Sequence, residues 1–179
     1  MKNFPVTVDG VEHWISPSVA TVGIIYKFDE NGKLCFVANK RGAGCPDYNG
    51  YWNIPCGYFD FEDNSVIDGV SREIFEETGL NVPTNKWNLW FVNSVPTDGK
   101  HVLSIRFIAK FDESFGTFTS ENSEDREVDD IKWIPVDEVD NYQWAFNQRE
   151  VISDWIRGMK KDMIDWKIEN NILIKSYII

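Results

Sequence analysis

Three glutamates stand close together in the segment SREIFEETGL, which spans residues 71–80. On a helix, Glu73 and Glu77 lie four residues apart on one face, and Glu76 projects from a neighbouring row. Like charges at this spacing destabilise an isolated helix. Carboxylate oxygens are the ligands that Mg²⁺ and Mn²⁺ prefer, so a bound divalent cation would remove the repulsion. The spacing therefore indicates a metal site on a helix.

An acidic run is more often a solvated helix face than a metal site. Three neighbouring features favour the site. Gly69 costs roughly 1 kcal/mol in a helix interior, and we expect its missing side chain to let a group approach the carboxylates. The polar loop GYFDFEDN directly precedes the start of the helix. Gly79 stands where a left-handed C-terminal cap would fall.

The rest of the chain predicts strands around this helix. Apolar alternation and turn residues predict a small hairpin at 5–16 around Asp9-Gly10, and a second hairpin from strands at 20–28 and 33–40. Residues 41–64 predict a long structured loop with room for one short strand, and such loops are usually functional. Helical periodicity covers about 65–78 and about 146–168, and further strands are expected at 87–95, 102–111 and 131–136.

Together these elements predict an α/β (α+β) fold, with a mixed sheet covered by helices on both faces. At 179 residues the chain is too short for two full cores. We therefore expect a single domain over 1–179, with an N-terminal β-hairpin (about 1–19) and a C-terminal helical extension (about 146–179). The apolar stripe of the last helix indicates packing or a homodimer surface.

Composition narrows the possible partners. The formal charge of -11, from 18 Lys and Arg against 29 Asp and Glu, repels polyanions and argues against binding to nucleic acid or an anionic membrane. Three cysteines without metal-type spacing predict neither a disulfide scaffold nor a zinc site, which fits a reducing cytoplasm. No segment has the length of an apolar membrane span or signal peptide. We expect a cytoplasmic protein.

The run from 57 to 80, GYFDFEDNSVIDGVSREIFEETGL, resembles the Nudix box. That family's pattern is Gly, five residues, Glu, seven residues, then Arg-Glu-U-x-Glu-Glu-x-Gly-U, in which U is aliphatic. The matching residues are Gly57, Arg72, Glu73, Ile74, Glu76, Glu77, Gly79 and Leu80. This chain has one more residue than the pattern before Arg72, and Asp63 or Asn64 replaces the first Glu. The resemblance implies a Nudix-type α/β/α sandwich with a mixed β-sheet.

The resemblance also implies an activity. Nudix hydrolases cleave the diphosphate linkage of a nucleoside diphosphate joined to another group, by attack of a water that a metal activates. The implied cofactor is Mg²⁺ or Mn²⁺. The implied substrate is a small nucleotide, with ADP-ribose-like compounds and nucleoside triphosphates both open. The implied metal ligands are Glu73, Glu76, Glu77, Glu127 and the backbone carbonyl of Gly57 or Cys56.

The implied catalytic residues are Glu76, Glu127 and Arg72. Glu76 is a ligand or orients the water, and Glu127 is a ligand or the general base, with Glu124 as the runner-up. The resemblance leaves the general base open among Glu76, Glu127 and Glu124. Arg72, on another helix face, braces the preceding loop through Asp63 or Glu62. The candidate substrate-binding residues are Arg41 and Arg106 for phosphate and Tyr58 and Phe61 for a base, with Lys40, Tyr48 and Trp52 as further candidates. Surface charges and core aromatics are the commoner explanations for such residues.

Two other functions are compatible with a Nudix fold. One is a ligand-sensing or regulatory protein without hydrolase activity. Such sensors usually carry a DNA-binding extension, for which the short tail here is a poor candidate, and the intact Arg-Glu-x-x-Glu-Glu sequence favours an enzyme. The other is an isoprenoid diphosphate isomerase, for which Cys56 beside Gly57 is insufficient evidence.

Overall fold

The computed structural model describes residues 3–96, 101–123 and 126–169, with only the backbone described for 161–169. The strands are β1 (Phe4–Val8), β2 (Val11–Ile15), β3 (Ser18–Phe28), β4 (Leu34–Arg41), β5 (Trp52–Asn53), β6 (Cys56–Tyr58), β7 (Asn88–Asn93), β8 (Val102–Lys110) and β9 (Val128–Pro135). The α-helices are α1 (Val66–Thr78) and α2 (Gln148–Glu169). Within these described ranges, no helix is long and apolar enough to cross a membrane.

Strands β3 to β9 form one mixed sheet in which β3 and β4 separate from each other. β3 and β4 pair with each other only between residues 26–28 of β3 and residues 34–36 of β4. Beyond that point β6 pairs with β3 and β5 pairs with β4, so the segment 52–58 fills the gap between them. β9 lies on the outer side of β4, while β8 runs parallel to β3 and is followed by β7. The sheet therefore holds residues 52–58 at its centre, a few residues before α1.

Both faces of this sheet are buried. Alternate residues of β3 point to opposite sides: Ile24 packs in the cluster that includes Trp155 of α2, and Ile25 packs in the cluster that includes Ile74 of α1. All four side chains are fully buried. The two clusters form the layers of an α/β/α sandwich with a mixed sheet, which confirms the predicted fold class.

The N-terminal hairpin is a separate two-stranded sheet of β1 and β2. Its turn residues Asp9 and Gly10 have φ angles of 50° and 81°, the left-handed values that a two-residue type I′ turn requires. This confirms the hairpin predicted at 5–16. The hairpin's exposed apolar side chains are Phe4, Val8, Val11, Trp14 and Ile15.

Most predicted elements agree with the structure to within a few residues. The loop at 41–64 contains two short strands, β5 and β6, where the sequence predicted room for one. The last strand was predicted from 131 but begins at Val128, because 128–130 also pair with the end of β4. Most of the connection between the strands predicted at 87–95 and 102–111, and the end of the extension predicted at about 146–179, lie outside the described residues.

Candidate active site

Helix α1 has a defined cap at each end. The Ser65 hydroxyl accepts a hydrogen bond from the N–H of Asp68 at 3.2 Å, so Ser65 caps the N-terminus. Gly79 ends the helix with a φ of 76°, and its N–H donates to the carbonyl of Phe75 at 2.8 Å. Between the caps, the buried Val70 and Ile74 fix the helix on the sheet. This packing determines which residues Glu73 and Glu77 can reach.

Arg72 joins the loop before α1 to two of the glutamates. Its Nε and Nη2 donate to the Asp63 carboxylate at 3.1 and 3.0 Å, and Nη2 also donates to the Tyr58 carbonyl at 2.9 Å. Its Nη1 donates to Glu73 at 3.0 Å and to Glu76 at 2.9 Å. We expected Arg72 to lie on a different helix face from the glutamates. That expectation is wrong, because its guanidinium hydrogen-bonds to Glu73 and Glu76 as well as to Asp63.

Asp63 is the acidic partner of Arg72 where the sequence left Asp63, Asn64 and Glu62 open. Its side chain is 6% exposed, and the hydrogen bonds from Arg72 hold its pKa below the usual range. A Cβ at Gly69 would lie 3.0 Å from Asp63 Oδ2 and 3.2 Å from a ring carbon of Phe59. The expectation that Gly69 opens a path to the metal-site carboxylates is thus wrong. Its missing side chain makes room for the loop.

Gly57 is the glycine that lies against the carboxylates. A Cβ built on Gly57 would fall 2.2 Å from the carboxyl group of Glu73, so a side chain there would force that carboxyl group to move. Because Gly57 belongs to β6 in the gap between β3 and β4, the sheet brings its backbone up to the face of α1. The structure therefore places Gly57 and Glu73 in direct contact.

Glu77 approaches the same strand one helical turn later. Its Oε2 accepts a hydrogen bond from the backbone N–H of Cys56 at 2.8 Å. Burial, and then the charge of Glu73, raise the pKa of Glu77 well above its ordinary value. Burial likewise raises the pKa of Glu73 to about 7. Two neighbouring carboxyl groups are thus held where ionisation is unfavourable without a positive partner.

This donor set fits a divalent cation. A nearby cation favours the ionised forms that burial and mutual repulsion disfavour, and oxygen donors suit Mg²⁺ or Mn²⁺. Within the described part of the chain, no three Asp, Glu, His or Cys side chains already converge as a ligand group. Arg72 holds one oxygen each of Glu73 and Glu76. Each of these two carboxylates can therefore offer its other oxygen to a cation while it stays bonded to Arg72.

Glu127 lies close to Glu77 although fifty residues separate them in sequence. It directly precedes β9, and its carbonyl accepts hydrogen bonds from the N–H of Gly42 at 2.7 Å and the thiol of Cys45 at 3.3 Å. Its charge contributes to the raised pKa of Glu77. The alternative base, Glu124, lies outside the described residues.

A cavity of about 360 Å³ opens beside these carboxylates on the α2 side of the sheet. It brings together six of the residues selected from the sequence: Arg41, Gly57, Tyr58, Glu77, Arg106 and Glu127. The other four do not line it: Phe61, Arg72, Glu73 and Glu76. Phe61 is fully exposed, so the structure does not bring this candidate base-stacking residue to the cavity.

The two arginines of the cavity differ in their surroundings. Arg41 donates to the carbonyl and carboxylate of Asp47, both at 3.0 Å, and its guanidinium lies 5.2 Å from the ring centre of Phe146. Arg106 is 6% exposed, so surface charge does not explain it. Among the aromatic candidates, Tyr58 is exposed at the cavity, whereas Trp52 is buried in the core.

Sequence reasoning missed several residues of the cavity. They are Asn93 of β7, Ser104 of β8, and Phe146, Asn147 and Gln148 at the start of α2. One signal was available, because the alternation in LSIRF places Ser104 and Arg106 on the same face of a strand. The position of the start of α2 over that face had no sequence signal.

Comparison with known proteins identifies the family. A family model of the NUDIX domain matches residues 17–155, which is most of the chain, so the chain belongs to the Nudix family. Comparison with curated protein sequences gave no match. Family membership confirms the resemblance seen in the Nudix box and supports the prediction of a pyrophosphohydrolase.

Several solved structures share the fold. The NUDIX domain of Shewanella oneidensis NrtR, complexed with ADP ribose, is 17% identical with a TM-score of 0.67, over 81% of this chain and 90% of that one. NrtR has also been solved with a 27mer DNA. A NUDIX hydrolase from Nitrosomonas europaea is 18% identical, with a TM-score of 0.57, over 80% and 90%.

A third similar structure belongs to a larger protein. It is the bifunctional NMN adenylyltransferase/ADP ribose pyrophosphatase of Francisella tularensis, complexed with AMP and a Mn ion. The identity is 15% and the TM-score 0.62, and the match covers 80% of this chain but 42% of that one. At these identities the likeness concerns the fold.

Proposed function

We propose that the protein is a metal-dependent hydrolase that cleaves the diphosphate linkage of a nucleoside diphosphate joined to another group. The observation that carries the proposal is the contact of Gly57 with Glu73 beside the buried Glu77. Two carboxyl groups with raised pKa values next to a cavity form a site that a cation completes. Bound Mg²⁺ or Mn²⁺ would neutralise the diphosphate and lower the pKa of a water molecule.

The residues around the cation divide into ligands and supports. Glu73 and Glu77 are the main ligands, and the carbonyl of Gly57 or Cys56 is a further candidate. Glu76 is a ligand or positions the attacking water. Arg72 keeps Glu73 and Glu76 near the site by hydrogen bonds while it anchors the loop through Asp63.

Glu127 is the proposed general base. It shares the cavity with Glu77, and the hydrogen bonds to its carbonyl fix its backbone. Its carboxylate would take the proton of the attacking water. Arg41 and Tyr58 line the same cavity and would contact the phosphate and the base of the substrate.

A panel of nucleotides tests the proposal. The purified chain is incubated with ADP-ribose-like compounds and nucleoside triphosphates, with Mg²⁺, with Mn²⁺, and with EDTA as the control. We expect cleavage at the diphosphate of at least one compound with metal, and none with EDTA. Absence of cleavage throughout the panel with both metals would reject the hydrolase.

A second candidate function is ligand binding without hydrolysis. The similarity to the NrtR domain complexed with ADP ribose favours testing it. Calorimetry of the same compounds separates the two functions, because a sensor binds a compound that it does not cleave. Saturable binding of ADP-ribose that remains intact after long incubation with metal would favour the sensor.

A further inference from the structure

A buried cation, Arg106, lies in the cavity. Among the described residues its side chain makes one hydrogen bond, from Nε to the hydroxyl of Ser104 at a long 3.4 Å, and its guanidinium lies 5.6 Å from the ring centre of Phe91. No described carboxylate forms a salt bridge with it. Asp154 acts on it only at longer range, and Asp154 is exposed and bonded to Arg157.

Such a group is costly to bury. An ionised side chain removed from water needs a counter-ion or several hydrogen bonds to offset its lost hydration. Burial accordingly lowers the pKa of Arg106. Arg41, in the same cavity, has Asp47 as its partner. Of these two arginines, Arg106 is therefore the one whose burial cost no ion pair offsets. An anion that binds in the cavity would offset that cost.

Strand register separates Arg106 from the carboxylates. Val22 of β3 pairs with Cys56 on one side and with Arg106 on the other. Adjacent strands lie about 4.8 Å apart, so the backbones of Cys56 and Arg106 are roughly 10 Å apart across the floor of the cavity. The guanidinium also lies near Phe91, which belongs to β7 on the side away from Cys56.

The side chain of Gln148 is a second buried polar group that lines the cavity. Gln148 is 6% exposed, and its Nε2 is 4.0 Å from the sulfur of Cys56. In the part of the chain that the structure describes, its Oε1 has no hydrogen-bond partner. A free acceptor in a cavity is suited to a hydroxyl group of a ligand. The cavity thus offers a cation for an anion and an acceptor for a hydroxyl.

We propose that Arg106, with Ser104, forms a second anion site, which binds a phosphate or carboxylate of the substrate remote from the diphosphate held at the carboxylates. The strands that carry Cys56 and Arg106 lie roughly 10 Å apart at the backbone, and the Arg106 guanidinium lies near Phe91 on the side away from Cys56, so the two places are different parts of the cavity. The proposal rests on the proposed function only in calling the anion part of a substrate.

Anion binding without metal tests the site separately from hydrolysis. Inorganic phosphate and malonate are titrated into the protein in EDTA by calorimetry, and a stronger response to one probe assigns the anion as phosphate or carboxylate. We expect saturable binding to the wild-type chain and a loss on the order of 10- to 100-fold in Arg106→Met, because a charged hydrogen bond is removed. Lys132→Met, which removes an exposed cation, is the matched control and should bind normally.

The outcomes distinguish this site from the hydrolase. Equal affinity in Arg106→Met, or no saturable binding by the wild type, would overturn the anion site even if the nucleotide panel shows cleavage. If Arg106→Met does not fold, Arg106→Lys keeps the charge but loses the forked geometry. Lys at this position should weaken binding several-fold, and unchanged affinity would likewise reject the site.

Discussion

The two ends of the cavity have opposite electrostatic needs. At the carboxylate end, defined by Gly57, Glu77 and Glu127 with Glu73 behind Gly57, negative groups outnumber their partners. At the arginine end, defined by Asn93, Ser104 and Arg106, one buried cation lacks an anion. Burial is the largest cause of both the raised pKa of Glu77 and the lowered pKa of Arg106.

This difference indicates which kind of ligand would stabilise each end of the cavity. A cation at the carboxylate end and an anion at the arginine end would each offset a burial cost that the protein alone leaves uncompensated. Catalysis requires charge stabilisation where the bond breaks, so the carboxylate end should govern turnover. The arginine end offers a cation rather than carboxylates for a metal, and we expect it to govern affinity for particular substrates.

Glu77→Gln is expected to have the largest effect. The amide keeps the hydrogen bond from Cys56 N–H to the side-chain oxygen but removes a metal ligand. We expect kcat to fall by about 10³-fold for every substrate, as for loss of a main electrostatic contribution. The thermal unfolding temperature should not fall. Near wild-type turnover would show that the carboxylate end does not hold the catalytic metal.

Glu127→Gln should reduce kcat by roughly 100-fold, because general bases contribute on that scale. Glu124→Gln is the control, since Glu124 was the alternative base. If Glu124→Gln causes the larger loss, the assignment of the two residues must be exchanged.

Gly57→Ala tests the contact that carries the proposed function. A Cβ at Gly57 would displace the Glu73 carboxyl group, so we expect metal affinity to fall by about 10-fold or more, as seen when the support of metal ligands is disturbed. The activation of hydrolysis by Mn²⁺ measures that affinity. Gly158→Ala is the control, because its Cβ would lie 3.9 Å from the nearest atom, Trp90 Nε1. Equal metal dependence in both variants would refute the close-approach argument.

Apart from Glu127, the carboxylate end could be predicted because one short segment of the chain supplies it. Residues 57–80 contain the glycine, the glutamates and the helix caps, and helical spacing alone places Glu73 and Glu77 together. The same spacing could not choose between Asp63 and Asn64, since one inserted residue fits either assignment. Only the hydrogen bonds of Arg72 identify Asp63.

The arginine end could be predicted only in part. The sequence named Arg106 as a candidate for phosphate, although a lone arginine in a strand is most often a surface charge. It could not predict the burial of Arg106, which depends on the parallel register of β8 against β3 and on the start of α2 above it. Each of these is a long-range packing result.

The smallest expected effect is a pH-dependent difference in stability at the carboxylate end. Glu73 has a pKa raised to about 7 in the folded protein without metal. A raised pKa contributes stability that is fully present below the ordinary carboxyl value and is lost as the pH rises through about 7. The metal-free protein should therefore lose stability from this group between about pH 4.5 and pH 8.

Mg²⁺ should reverse that loss, because it binds the ionised carboxylate. We expect the rise in thermal unfolding temperature on adding Mg²⁺ to be larger at pH 8 than at pH 5, by about 3 °C for a chain of this size. Glu73→Gln removes one of the two carboxyl groups with raised pKa values and should reduce this difference, while Glu77 retains its own part. Arg106→Met changes the other end of the cavity and should keep the wild-type difference. If Arg106→Met abolishes it instead, the two ends are coupled and cannot be treated as separate sites.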